Sequence, residues 1–227
     1  MAGTAWLHWL RDDAQIPLMR LLAALPDAER RECESLASPA RQRGFALSRC
    51  MLRNLLHHHR QCAPGDIRFS RAENGRLQLA KNFSATGLQI SLSHTDGMTA
   101  VICADAPCGV DIETVRERRA LAIARRYFTA SEIAWLEAQP ATSRTDGFLR
   151  LWTLKEAGIK ALGRGIAGNL DRLEVVFTEG VPEGRGDLAG LSLWQTAGPD
   201  YWLAAVVADS RTTFVATELA LSDLFPS

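Results

Sequence analysis

Three carboxylates and two lysines, held in two short segments, are the residues of this sequence best suited to chemistry. Asp111 and Glu113 stand in Gly109-Val110-Asp111-Ile112-Glu113. Lys155, Glu156 and Lys160 stand in Trp152-Thr153-Leu154-Lys155-Glu156-Ala157-Gly158-Ile159-Lys160, roughly forty residues later. That inventory can hold a divalent cation against a pyrophosphate. Magnesium prefers a few carboxylates, waters and phosphate oxygens, so the set points to magnesium-dependent chemistry on a phosphate-bearing cofactor. Ser91-Leu92-Ser93-His94 lies just upstream and adds a histidine. A histidine at a strand end can donate a ring N–H to a phosphate oxygen, or simply bond to backbone in a turn.

The elements that carry these residues follow from periodicity. Asp111 and Glu113 are two apart on a predicted strand, so both leave one face while Val110 and Ile112 enter a core. Asp-x-Glu is also a common pattern on exposed strands. Trp152, Glu156 and Lys160 recur at helical spacing. A Glu156–Lys160 pair could serve only the helix, at ~0.2–0.5 kcal/mol. If the helix instead faces the Asp111 strand, Glu156 becomes a third carboxylate and Lys155 a cation that reaches phosphate. Gly163-Arg164-Gly165 ends that helix.

The rest of the chain reads as helices, strands, helices, strands. Helical patterns cover Ile16 to Leu25, the segment from Pro26-Asp27, a long stretch after Pro39, and Arg118 to Leu162. Thr129-Ala130-Ser131-Glu132 predicts an N-cap. Strands are predicted at Trp6 to Leu10, Ile67 to Ser70, Arg76 to Ala80, Leu88 to Ser93, Met98 to Ala104 and Cys108 to Glu113. Four more are predicted at Leu173 to Thr178, Leu188 to Gln195, Tyr201 to Ala208 and Thr213 to Leu221. Gly180 to Gly190 reads as a loop. This order predicts an α+β, sandwich-like fold of two similar halves, residues 1–107 and 108–227.

Composition narrows the function classes. The 227 residues carry no formal net charge, so no global field draws the chain to nucleic acid or a membrane. No apolar run is long enough to span a bilayer, and the N-terminus lacks the pattern of a signal peptide. The five cysteines have no metal-ligand spacing and read as reduced thiols of a cytoplasmic protein. Arg41, Arg43, Arg49 and Arg53 make a basic helix, and Arg116, Arg118, Arg119, Arg125 and Arg126 a second basic run. The first reads as a solvated face, the second as a docking patch for an acidic partner or again a solvated face. His57-His58-His59, at the end of a predicted helix, receives no function.

Taken in order, the Ser91–His94, Gly109–Glu113, Arg125–Glu132 and Leu151–Lys160 segments, with Gly163-Arg164-Gly165, resemble the 4′-phosphopantetheinyl transferases of the larger, monomeric Sfp type. The resemblance covers roughly the middle two-fifths of the chain. It implies an intramolecular pseudo-dimer with coenzyme A in the cleft between two α/β halves. It implies transfer of the phosphopantetheine arm to a serine of an acidic acyl or peptidyl carrier protein, with release of 3′,5′-ADP. Asp111, Glu113 and Glu156 would match the magnesium site, with manganese as an alternative ion. Lys155 and His94, with Ser93 beside it, would match pyrophosphate contacts, and Lys160 a second lysine near the phosphates or pantetheine. Glu132 matches a recurrent acid. Arg76 stands where the family often has Gly-Lys-Pro and keeps the charge for a 3′-phosphate. Arg43 and Arg49 are candidate phosphate ligands on a helix that aligns only approximately. Glu156 is the first choice for the base that activates the serine, with Glu113, acting through water, as its competitor. Two rival readings use the same residues: a magnesium-dependent phosphohydrolase of nucleotide diphosphates, and a non-catalytic module that binds coenzyme A or a carrier.

Overall fold

The computed structural model describes residues 3–12, 16–80, 87–116, 119–165 and 169–225. Two sheets stack face to face between two layers of helices. The first sheet has the order β11 (Thr213–Leu219), β1 (Thr4–Arg11), β5 (Met98–Ala104), β4 (Gln89–Thr95). β1 runs parallel to β11 and antiparallel to β5. The second is antiparallel, with the order β6 (Cys108–Thr114), β10 (Tyr201–Val207), β9 (Ser192–Ala197). Period-two alternation builds the space between them. Leu7 and Trp9, Ala100 and Ile102, Val110 and Ile112, and Leu203 and Ala205 all enter one buried cluster.

The opposite faces take the helices. Leu10, Val101 and Cys103 pack under α1 (Leu18–Ala23), α2 (Asp27–Glu34) and α3 (Pro39–Arg60). Ser38 caps α3 by accepting the Arg41 N–H at 3.3 Å, and Pro39 presets the first helical position. On the far side, Ala204 and Val206 pack under α4 (Ala120–Tyr127), α5 (Ala130–Glu137) and α6 (Arg144–Ala161). Thr129 and Glu132 form a capping box at the start of α5, where the sequence predicts an N-cap. Two hairpins complete the fold: β2 (Phe69–Arg71) with β3 (Leu77–Leu79), and β7 (Leu173–Thr178) with β8 (Val181–Gly186).

β8 falls inside the segment read as a loop, and the strand expected from Leu188 begins only at Ser192. Pro182, Gly184 and Gly186 weaken the strand signal, yet the backbone pairs with β7. Gly184 is needed because a Cβ there would lie 2.7 Å from the Leu188 side chain, itself fully buried. All five cysteines are free thiols. No described helix is long and apolar enough to cross a membrane.

One contact sets the position of the candidate site. β6 turns Gly109, Asp111 and Glu113 toward α6, opposite to the face that buries Val110 and Ile112. A Cβ on Gly109 would stand 2.6 Å from the Ala161 nitrogen and 2.8 Å from the Lys160 Cβ, and closer still to the Ala157 carbonyl oxygen. The helix therefore lies directly on the strand. Gly109→Ala is expected to push α6 away and to destabilise the fold by about 3 kcal/mol. Urea unfolding reads this out; an unchanged midpoint would mean that α6 can step back at no cost.

Candidate active site

β4 and β6 lie edge to edge and join the two sheets through side chains. Ser93 Oγ donates to Asp111 Oδ1 at 2.8 Å, and the Val110 N–H reaches Ser91 Oγ at 3.4 Å. Lys160, from the last turn of α6, donates to Asp111 Oδ1 at 2.8 Å and to the Val110 carbonyl at 2.9 Å. Asp111 Oδ2 is buried and has no hydrogen-bond partner among the described residues.

Glu156 lies one turn before Lys160 on α6 and is 7% exposed. Its carboxyl is raised to about 7, by burial first and by repulsion from Asp111 and Glu113, with Lys160 opposing them. Glu113 is half-buried, with Arg116 at 4.0 Å. Asp111 and Glu113 are thus near enough to act electrostatically on Glu156. Among the described residues no three His, Cys, Asp or Glu side chains already stand in cation-holding geometry. The donor set nevertheless fits a hard divalent ion. It is all oxygen, it is mutually repulsive, and one of its buried oxygens lacks a partner.

Two cavities flank His94. The first, of about 500 Å³, is lined by Arg41, Arg49, Arg71, Arg76, His94 and Lys160 among others. It has the size of a small-molecule site and an anion-binding wall. The second, of about 480 Å³, shares Arg41, Gly44 and His94 with it and extends to Arg43, Glu113 and Arg116. His94 is held below its ordinary pKa by desolvation in the cleft and by Lys160 and Arg41. Near neutral pH it therefore offers one ring N–H and one acceptor nitrogen.

The remaining predicted residues divide. Lys155 is corrected. Its ammonium is fully buried on the opposite side of α6, 2.5 Å from Glu132 Oε2 and 2.5 Å from the Leu173 carbonyl, over the Phe128 ring. A lysine locked between a carboxylate and a carbonyl cannot reach a phosphate in the cleft. Lys160 is the helix cation that does face it. Glu132 gains a definite role: besides Lys155 it accepts the Thr129 and Val175 N–H groups, tying α5, α6 and β7 together.

Arg76 donates to the Lys160, Cys108 and Ile90 carbonyls at 2.6, 2.7 and 3.3 Å. It forms cleft wall while stapling the β2–β3 hairpin to the end of α6. Arg43 pairs with Asp12 at 2.5 Å and with the Ile16 carbonyl, and faces the second cavity. Arg49 is buried between the Phe45 and Phe69 rings at the wall of the first. Of the second basic run, Arg118 lies outside the described residues. Arg116 reaches Asp96 and Glu113, and Arg125 pairs with Glu137. Sequence reasoning singled out neither Arg41 nor Arg71 as cleft residues. The signal for Arg41 was present, since Arg41, Phe45 and Arg49 recur every four residues along one face of α3. Arg71 had none, because a short hairpin places it.

A cationic cleft beside a carboxylate set, walled by α3, the β2–β3 hairpin, β4 and the end of α6, has the charge to hold a polyanionic small molecule. The profile of the 4′-phosphopantetheinyl transferase superfamily matches residues 107–208. The 4′-phosphopantetheinyl transferase HetI of Nostoc sp. is 30% identical over 86% of this chain and 83% of its own length. The 4′-phosphopantetheinyl transferase Sfp of Bacillus subtilis is 30% identical over 69% of this chain and 68% of its own. A holo-(acyl-carrier-protein) synthase from Bacillus anthracis, solved in complex with CoA (3′,5′-ADP), aligns with a TM-score of 0.38 at 21% identity, over 45% of this chain and 94% of that chain. The chain belongs to the 4′-phosphopantetheinyl transferase family.

Proposed function

We propose that this enzyme transfers the 4′-phosphopantetheine arm of coenzyme A to a serine hydroxyl of an acyl or peptidyl carrier protein. One observation carries the reading: Lys160, which lines the cation-rich cavity of about 500 Å³, also pairs with Asp111, whose charge in turn acts on Glu156. The serine oxygen attacks the phosphorus that bears pantetheine. The bond from that phosphorus to the bridging oxygen breaks, and 3′,5′-ADP leaves with the electron pair.

The chain's own residues divide the work. Arg41, Arg49 and Arg71 supply fixed positive charge for the phosphorylated adenosine end. Lys160 and His94 donate to the diphosphate, where negative charge grows as the bridging bond breaks. Glu156 takes the serine proton, being the carboxylate carried by α6 one turn before Lys160. Asp111, Glu113 and Glu156 would hold Mg²⁺, or Mn²⁺, which supplies charge neutralisation of the diphosphate oxygens when bound. Residues 1–107 and 108–227 are read as the two halves whose junction forms the cleft. An acidic carrier would dock at the second cavity, beside Arg116, and the unit is read as a cytoplasmic monomer.

Intact mass of an apo carrier protein incubated with this chain, coenzyme A and magnesium tests the reading, with EDTA as control. The expected result is one phosphopantetheine gained per carrier, and none in EDTA. Consumption of coenzyme A with no gain on any carrier type overturns it in favour of hydrolysis. Binding of coenzyme A with no turnover overturns it in favour of a binding module.

A further inference from the structure

Three hydroxyls on β4 stitch the seam between the two sheets. Ser91, Ser93 and Thr95 are two apart and leave one face of the strand. That face meets β6, which belongs to the other sheet. Ser91 Oγ accepts the Val110 N–H at 3.4 Å, and Thr95 Oγ1 lies 3.5 Å from Thr114 Oγ1. Both contacts join neutral groups and serve the seam alone. The middle one is different, because Ser93 Oγ donates to the Asp111 carboxylate at 2.8 Å.

Ser93 does not behave as a phosphate contact. A carboxylate oxygen can only accept, so the single hydroxyl proton of Ser93 points at Asp111 and is not free for a phosphate. Ser91 and His94 line the first cavity, whereas Ser93, 8% exposed, lines neither cavity beside His94. Lys160 donates to the same oxygen of Asp111, Oδ1, also at 2.8 Å. Two donors from two elements on one oxygen fix the plane of the carboxylate. They leave Oδ2 buried and without a hydrogen-bond partner among the described residues. An unsatisfied buried acceptor costs on the order of 1–3 kcal/mol unless something binds it.

We propose that Ser93 is a positioning residue for the divalent cation: by occupying Oδ1 together with Lys160, it reserves Oδ2 of Asp111 for the ion. The proposal rests on the reading of Asp111, Glu113 and Glu156 as the cation set. Without the hydroxyl, Asp111 is tied by Lys160 alone. The carboxylate can then rotate until the ammonium spans both oxygens, and the ion loses a preset ligand. Groups that orient a metal ligand in this way are worth roughly 10–100-fold in metal affinity. Ser93 and His94 are neighbours in sequence with separate tasks, since alternation along β4 turns one to Asp111 and the other to the cleft.

The test titrates Mn²⁺ into the complex of this protein with coenzyme A and follows the electron paramagnetic resonance of the free ion. Calorimetry of coenzyme A binding in EDTA runs beside it. Ser93→Ala is expected to weaken Mn²⁺ binding by about tenfold or more. Its affinity for coenzyme A in EDTA should equal that of wild type. Thr114→Val removes another hydroxyl contact of the same seam without touching Asp111, and should bind Mn²⁺ as wild type does. Unchanged Mn²⁺ affinity in Ser93→Ala overturns the proposal while leaving the cation set in place. Equal weakening in Thr114→Val overturns it as well, because a loosened seam would then account for the loss. Lower coenzyme A affinity of Ser93→Ala in EDTA overturns it in favour of a phosphate contact. A wild-type complex that takes up no Mn²⁺ removes the cation reading itself, and the proposal with it.

Discussion

Glu156→Gln is expected to lower kcat for phosphopantetheine transfer by about a hundred- to ten-thousandfold while leaving coenzyme A affinity nearly unchanged. The amide keeps the side chain's shape and one oxygen, so the wall beside Lys160 survives. Repulsion from Asp111 and Glu113, part of what holds the carboxyl near 7, disappears, so the fold has no reason to weaken. What is lost, on the proposed mechanism, is the group that accepts the serine proton. Time courses of carrier mass give kcat, and calorimetry gives the affinity for coenzyme A. Unchanged turnover would hand proton transfer to Glu113 or to solvent. A large loss of affinity would make Glu156 a binding residue rather than a base.

The cleft was legible in sequence wherever one element's periodicity decides a side chain's direction. Period two places Gly109, Asp111 and Glu113 on one face of β6, and a spacing of four places Glu156 and Lys160 on one face of α6. The same rule separates Arg41 and Arg49, at the first cavity, from Arg43, which turns toward Asp12. Lys155 was not legible. It is adjacent to Glu156, and its direction is decided by Glu132 on another helix and by the Leu173 carbonyl on β7. Arg76 was legible as a charge but not as a staple, because its acceptors are backbone carbonyls on three separate segments. The order of helices and strands was readable; β8 was not, because pairing with β7 overrides its Pro182 and glycines. His8 and His59 show the same limit, since 51 residues separate two rings that touch.

Lys155→Met is expected to destabilise the protein by about 3–5 kcal/mol, because it strands the Glu132 carboxylate in the interior. Both partners are essentially inaccessible, at 0% and 1% side-chain exposure, so solvent cannot take over the lost contact. Burial lowers the Lys155 pKa while Glu132 raises it, and the ion pair holds only as long as both are present. The thioether has nearly the right length to fill the space over Phe128, so the loss would report charge rather than volume. Glu132 would keep its bonds from the Thr129 and Val175 N–H groups, which limit the damage but supply no counter-charge. Urea unfolding of the purified variant measures the effect, and coenzyme A affinity measured below the transition separates two roles for the same lysine. A phosphate-gripping Lys155 would lose coenzyme A affinity with its stability intact. A lysine that fixes α6 against α5 and β7 would lose stability first, and the folded fraction would still bind coenzyme A through Lys160, His94 and the arginines of the cleft.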